Sequence, residues 1–289
     1  MKPFDVMLET SAGRFAGLVR GPRNGPPVLL LHGFPDHAPS WLPLMDRLAE
    51  RGFRAVAPWL RGYAPSVLDG PHDVSRLTAD VLALADAVAP GRKLSLVGHD
   101  WGAIAAYPTL LAAPDRFACA VTMAVPHPVA LLANGPRNPM QLARSWYVGL
   151  FQLGALGERA ATARDFALID RLWRRWSPDF TLPAPARAAL HACLAASMPA
   201  PIRYYRSLNA TMADARARHR RGERIATPLF NLHGARDGCV GPALARDQER
   251  FFTGPFAAEI VDGAGHFLQL EAPDRVAERM IPWLARWRA

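Results

Sequence analysis

A chain of 289 residues, half of them apolar and one fifth charged, has the composition of a folded globular protein and is long enough to bury a sizeable core. That excludes a disordered or fibrous chain. Its formal net charge of +9 is an arginine effect, because Lys2 and Lys93 are its only lysines, and the Arg-for-Lys bias fits a high-GC bacterial genome. Residues 5–10 and 14–19 read as two strands turning at Ala12-Gly13. Residues 28–31 are an apolar strand, 41–51 a helix with Leu44, Met45 and Leu48 on one face, and 54–57 a strand. Residues 73–89 repeat Leu77, Val81, Leu84 and Val88 at helical spacing. A strand follows at 93–97, a small-residue helical stretch at 103–107, and a sixth strand at 117–123. From about 128 to 223 the alternation stops and the chain is helical, rich in Ala, Arg and aromatics. A strand at Thr227 onward, another at 257–261 and a terminal helix at 273–287 complete the pattern. Alternating strand and helix predicts a mostly parallel sheet covered on both faces.

Two Arg-rich stretches, residues 171–176 and 216–224, lie in the helical insertion and match no nucleic-acid motif, so no nucleic acid is expected as a partner. Cys119, Cys193 and Cys239 are odd in number and widely spaced, which offers neither a disulfide framework nor a metal site and fits a reducing compartment. The first twenty residues carry Asp5, Glu9 and Arg14, and no apolar run is long enough to span a bilayer. A cytoplasmic protein without membrane partners is expected.

The most informative residues are Gly98-His99-Asp100-Trp101-Gly102. They sit between a strand and a helix, as in a nucleophile elbow, where glycines leave room for a strained central residue. Most such elbows carry Ser. A serine attacking a saturated carbon would leave an ether that water does not readily cleave, whereas an aspartate leaves an ester that can be hydrolysed at its own carbonyl. The N-terminus of the following helix favours the negative charge this requires.

Around the elbow, His32-Gly33-Phe34-Pro35-Asp36 ends one strand, the loop after Gly234 delivers Asp237, and Gly263-Ala264-Gly265-His266-Phe267 delivers a histidine after the last strand. The chain is similar to the α/β-hydrolase-fold epoxide hydrolases. His32-Gly33-Phe34-Pro35, the elbow with Trp after the nucleophile, Val125-Pro126-His127-Pro128 and the tyrosine-bearing segments of the insertion carry the likeness over nearly the whole length. Relatives often have Asp at the position of Trp59, which lies outside the chemistry.

This resemblance implies an eight-stranded, mostly parallel sheet with helices on both faces and a helical cap inserted after the sixth strand. Residues 1–127 and 226–289 would form the core, and 128–225 the cap. It implies Asp100 as nucleophile, His266 as the base that activates water, and Asp237 as the acid that orients His266, with Asp262 and Glu271 as rivals for that last role. The backbone N–H groups of Phe34 and Trp101 would form the oxyanion hole. Phe34, Pro35, Trp101 and Trp146 would line the substrate.

An epoxide's leaving oxygen stays attached and must be protonated as the ring opens, a task for tyrosine. Ser145-Trp146-Tyr147-Val148-Gly149-Leu150-Phe151-Gln152 and Arg203-Tyr204-Tyr205-Arg206 resemble the tyrosine-bearing cap segments and select Tyr147 and Tyr205, with Tyr204 the alternative if its helix is rotated. The expected partners are a small epoxide and water, with no cofactor and no metal, in a monomer or homodimer.

A haloalkane or fluoroacetate dehalogenase would share Asp100 and His266. Haloalkane members commonly have Asn at the position of Phe34 and fluoroacetate members Arg at that of Trp101, although Trp101, Trp146 or Trp173 could bind halide. A non-catalytic binding protein on the same scaffold would not require all of Asp100, Asp237 and His266.

Overall fold

The computed structural model describes residues 4–288. Strands β1 (Val6–Thr10) and β2 (Gly13–Arg20) pair antiparallel with Thr10 opposite Gly13, so the early hairpin closes through Ser11-Ala12. Strands β3 (Pro27–Leu31), β4 (Arg54–Pro58), β5 (Leu94–His99), β6 (Phe117–Met123), β7 (Leu229–Gly234) and β8 (Phe256–Val261) complete an eight-stranded sheet in the order β1-β2-β4-β3-β5-β6-β7-β8. Only β2 runs antiparallel to its neighbours, and every pair from β4 to β8 is parallel. The expected fold is therefore the observed one. Each residue of β3, β5 and β7 is buried, which a strand achieves only when both faces of its sheet are covered.

Helices α1 (Leu42–Glu50), α2 (Val74–Val88) and α3 (Trp101–Ala112) alternate with the strands. Asp73 caps α2 by accepting the Arg76 N–H at 2.9 Å, one of the donors a helix start leaves unpaired. Between β6 and β7 lie α4 (Pro128–Asn134), α5 (Pro139–Arg144), α6 (Trp146–Phe151), α7 (Ala155–Trp176), α8 (Ala184–Ser197), α9 (Ala200–Arg203) and α10 (Leu208–Arg220). α7 is broken at Ala163–Phe166, where Arg164, Asp165 and Phe166 take positive φ. After β8 come α11 (Leu268–Glu271) and α12 (Pro273–Arg286), and α12 packs on α1 as α2 packs on α3.

The chain leaves β3 toward β4 on one side and returns through β5 on the other. Such a reversal opens a crevice at the carboxyl ends of the strands, the usual ligand site of an open α/β sheet. Phe34 follows β3, Asp100 follows β5, and Asp237 and His266 follow β7 and β8.

Candidate active site

Asp100 joins β5 to α3 with φ 51° and ψ −115°, a region that costs a non-glycine residue about 1–3 kcal/mol. Its N–H donates to the Met123 carbonyl at 3.2 Å and its carbonyl accepts from Ile104 at 2.9 Å, so the strain is held from both ends. The flanking glycines permit the turn. A Cβ on Gly98 would run into the Gly102 backbone, and one on Gly102 into the Leu31 backbone. Opposite the elbow, the Phe34 N–H donates to Asp100 Oδ1 at 2.8 Å, and a Cβ on Gly33 would overlap the Asp100 carboxylate. Trp101 is the first residue of α3, so its N–H has no acceptor within the helix.

His266 reaches Asp100 from one nitrogen and Asp237 from the other. Nε2 lies 3.5 Å from Asp100 Oδ2, and Nδ1 lies 2.9 Å from Asp237 Oδ2. Asp237 Oδ1 accepts the N–H groups of Cys239 at 2.7 Å and Val240 at 2.9 Å, which fixes the carboxylate before it meets the imidazole. Burial alone would keep His266 neutral, yet Asp237 and Asp100 outweigh it and raise its pKa to about 10. Burial likewise favours a neutral Asp237, but His266 holds its pKa below the usual carboxylate value. The resting site is thus an imidazolium between two carboxylates.

The inserted helices grip the two loops that carry this pair. The Trp176 carbonyl at the end of α7 accepts from Gly238 at 3.0 Å and from His266 at 3.1 Å. Ser177 Oγ accepts from His266 N at 3.1 Å and donates to Glu271 Oε1 at 2.5 Å. Glu271 also accepts from the Gly265 and Phe267 amides at 2.7 and 2.9 Å. Behind the imidazole, His99 Nε2 meets the His266 carbonyl at 2.9 Å. Burial and the His266 charge lower the His99 pKa to about 4, so this ring is neutral and donates through Nε2.

Facing Asp100 is a box of aromatic rings. Tyr205 packs edge-on against Trp101 and Phe34, with ring centres 5.2 and 5.3 Å away, and lies 5.6 Å from Tyr147. Tyr147 meets Trp176 at 4.9 Å, and Trp176 meets His266 at 5.1 Å. Gln152 Nε2 donates to the Tyr205 carbonyl at 2.5 Å, tying the two tyrosine segments together. Burial, with Asp100 as a further cause, drives the Tyr205 hydroxyl well above its ordinary pKa, so it is a protonated donor. Tyr205 Oη is buried with no hydrogen-bond partner in the protein, and buried His266 Nε2 has only the long ion-pair approach of Asp100. Buried polar atoms of this kind are costly. They mark where a ligand or water would be held.

Residues 28–279 match the model of the alpha/beta hydrolase family. The chain belongs to that family. Among its curated relatives within the family, epoxide hydrolase 3 of Xenopus tropicalis is 29% identical over 282 residues, covering 94% of this chain and 74% of the relative. Epoxide hydrolase A of Mycobacterium tuberculosis is 27% identical over 324 residues, with 98% and 97% covered. The crystal structure of epoxide hydrolase A from Mycobacterium thermoresistibile superimposes with a TM-score of 0.80 at 25% identity, covering 97% of each chain.

The structure brings together Asp100, His266, Asp237, Phe34, Trp101, Tyr147 and Tyr205. Of the rival acids, Asp262 is exposed and Glu271 is committed to the loop amides. The Tyr204 hydroxyl donates to the Arg61 carbonyl and so does not compete with Tyr205. Pro35 is buried beside the site, and its carbonyl accepts Trp173 Nε1 at 2.9 Å, which occupies that indole as a halide donor. Trp146 departs from expectation. It is 38% exposed, with the Arg171 guanidinium 5.8 Å above its ring. One residue along a helix is a turn of about 100°, so with Tyr147 facing inward Trp146 faces out. The sequence assigns no role to Trp176, Ser177 or His99, whose contacts with His266 join distant parts of the chain and leave no local signal, and it offers Glu271 only as a rival acid rather than as the residue that holds the His266 loop.

Proposed function

We propose that the chain is an epoxide hydrolase that forms and then hydrolyses an ester on Asp100, with residues 128–225 acting as the cap over the site. The observation that carries this reading is the meeting of an elbow carboxylate, its imidazole partner at 3.5 Å and two cap tyrosines in one aromatic box. The epoxide hydrolase relatives, matched over 94% or more of this chain, support it. Asp100 attacks a ring carbon, and the ring C–O bond breaks as Tyr147 and Tyr205 donate to the departing oxygen. The ester carries no charge, so His266 loses one of the two carboxylates that held its proton. Giving up that proton balances the one gained by the alkoxide.

The neutral imidazole then takes a proton from water, whose oxygen attacks the ester carbonyl. The Phe34 N–H, which already donates to Asp100 Oδ1 at 2.8 Å, and the Trp101 N–H at the start of α3 stabilise the negative oxygen that forms. Collapse releases a vicinal diol and restores carboxylate and imidazolium, with no net proton exchanged over the cycle. The substrate is a small, largely apolar epoxide, because rings line the box. All three cysteines are free thiols, which supports a reducing compartment such as the cytoplasm as the setting.

A dehalogenase would use the same Asp100 and His266. One observation favours it: Trp176 Nε1 is buried without a partner beside the site, as a halide donor would be. A panel of styrene oxide, an aliphatic epoxide, a haloalkane and fluoroacetate, with Asp100→Ala beside the wild type, separates the two. Diol from an epoxide, absent in Asp100→Ala, is the expected result. Halide release without diol would replace the epoxide reading with the dehalogenase one.

A further inference from the structure

The two tyrosines of the box are not equivalent. Tyr205 Oη has no partner, whereas Tyr147 Oη meets Cys239 Sγ at 3.3 Å. We propose that Cys239 is a positioning residue for ring opening, its thiol aiming the Tyr147 hydroxyl and donating to that oxygen once the phenol proton engages the substrate. This rests on the epoxide hydrolase reading and assigns unequal work to its two tyrosines.

The thiol is held in place by its own backbone. The Cys239 N–H donates to Asp237 Oδ1 at 2.7 Å, and its carbonyl accepts Gln141 Nε2 of α5 at 2.8 Å. Gln141 Oε1 in turn accepts the Gly241 N–H at 3.0 Å. The sulfur therefore sits on a segment fixed at one end by the acid of the catalytic pair and at the other by an inserted helix, and side-chain replacement spares both anchors. Burial, then Asp237 and Asp100, drives the thiol well above its ordinary pKa. It is an S–H, and in that form it is a poor nucleophile toward the electrophilic substrate.

A thiol is a weak donor and a weak acceptor, and a phenol is the stronger donor of the two. At rest the Tyr147 O–H points to sulfur. An epoxide oxygen is the better acceptor, so on binding the O–H turns to it and the S–H is free to donate to the phenol oxygen, stabilising the charge that grows there. The proton passed to the ring oxygen comes from Tyr147. Cys239 keeps its own proton and forms no covalent bond.

The test is a double-mutant cycle on single-turnover rates with styrene oxide, which separates ester formation from ester hydrolysis. A hydrogen bond at the weak end of the usual range predicts that Cys239→Ala, and Cys239→Val as a packing control, slow ester formation about two- to threefold. Hydrolysis of the ester should be unchanged, and Cys239→Ser should restore the rate. In a Tyr147→Phe background, Cys239→Ala should cost nothing more. An equal slowing in that background, or a parallel fall in ester hydrolysis, would overturn the positioning role and leave the tyrosine assignment intact. A Tyr147→Phe enzyme that opens the ring at the wild-type rate would overturn both.

Discussion

Asp100→Asn removes a charge 3.5 Å from His266 Nε2 while keeping the shape of the side chain. At an effective dielectric of about 20, two unit charges at that separation interact by about 4–5 kcal/mol. At about 1.4 kcal/mol per pH unit, this lowers the His266 midpoint by about three pH units. From about 10 in the resting protein, the imidazole falls toward neutrality, still supported against burial by Asp237. Histidine ¹³Cε1 chemical shifts followed against pH measure this directly, with His266→Gln identifying the resonance. A midpoint within half a pH unit of the wild type would show that the Asp100 charge does not hold the proton, and the charge balance proposed for the cycle would fail. The ester is as neutral as the Asn side chain. Its hydrolysis should therefore speed up as pH rises through the lowered midpoint, because only neutral His266 can take a proton from water.

The stability of the protein should follow the same pair. A folded pKa of about 10 against 6.5 means that His266 contributes stability fully below about pH 6.5 and loses it as pH rises through about 10. The melting temperature of His266→Gln should accordingly fall less steeply than that of the wild type between pH 7 and 10, and parallel slopes would contradict this. Glu271→Gln breaks the anionic cradle of the Gly265 and Phe267 amides and should lower the rate of ester hydrolysis about tenfold with little change in KM. An unaltered rate would mean that the loop holds His266 without it. Tyr205→Phe should slow ring opening at least tenfold, whereas Tyr204→Phe should cost about 1 kcal/mol of stability and leave ring opening intact. The opposite pattern in a rapid-quench assay would exchange the two roles.

The parts of this site that were legible in the sequence are those whose chemistry is written into a few consecutive residues. Gly98, Asp100 and Gly102 declare a strained turn because only glycine fits where two backbone segments nearly touch. The strand endings at Phe34, Asp237 and His266 follow from the alternation of apolar runs with helices. The insertion was legible as a helical block, but its rotation was not. Tyr204 and Tyr205 differ by about 120° on a 3-10 turn and Trp146 and Tyr147 by about 100° on α6, and only packing against Phe34 and Trp176 decides which one faces the carboxylate. The break in α7 at Ala163–Phe166 involves neither Gly nor Pro and left no mark in the pattern. The grip of Trp176 and Ser177 on the loops that carry Asp237 and His266 joins residues far apart in the chain, which a single sequence does not report.

A single turnover in H₂¹⁸O tests the covalent route most directly. If Asp100 attacks the ring and water attacks the ester carbonyl, the first diol carries an unlabelled carboxylate oxygen and the solvent label appears in Asp100. Solvent label in the first diol, with none in Asp100, would contradict the ester mechanism.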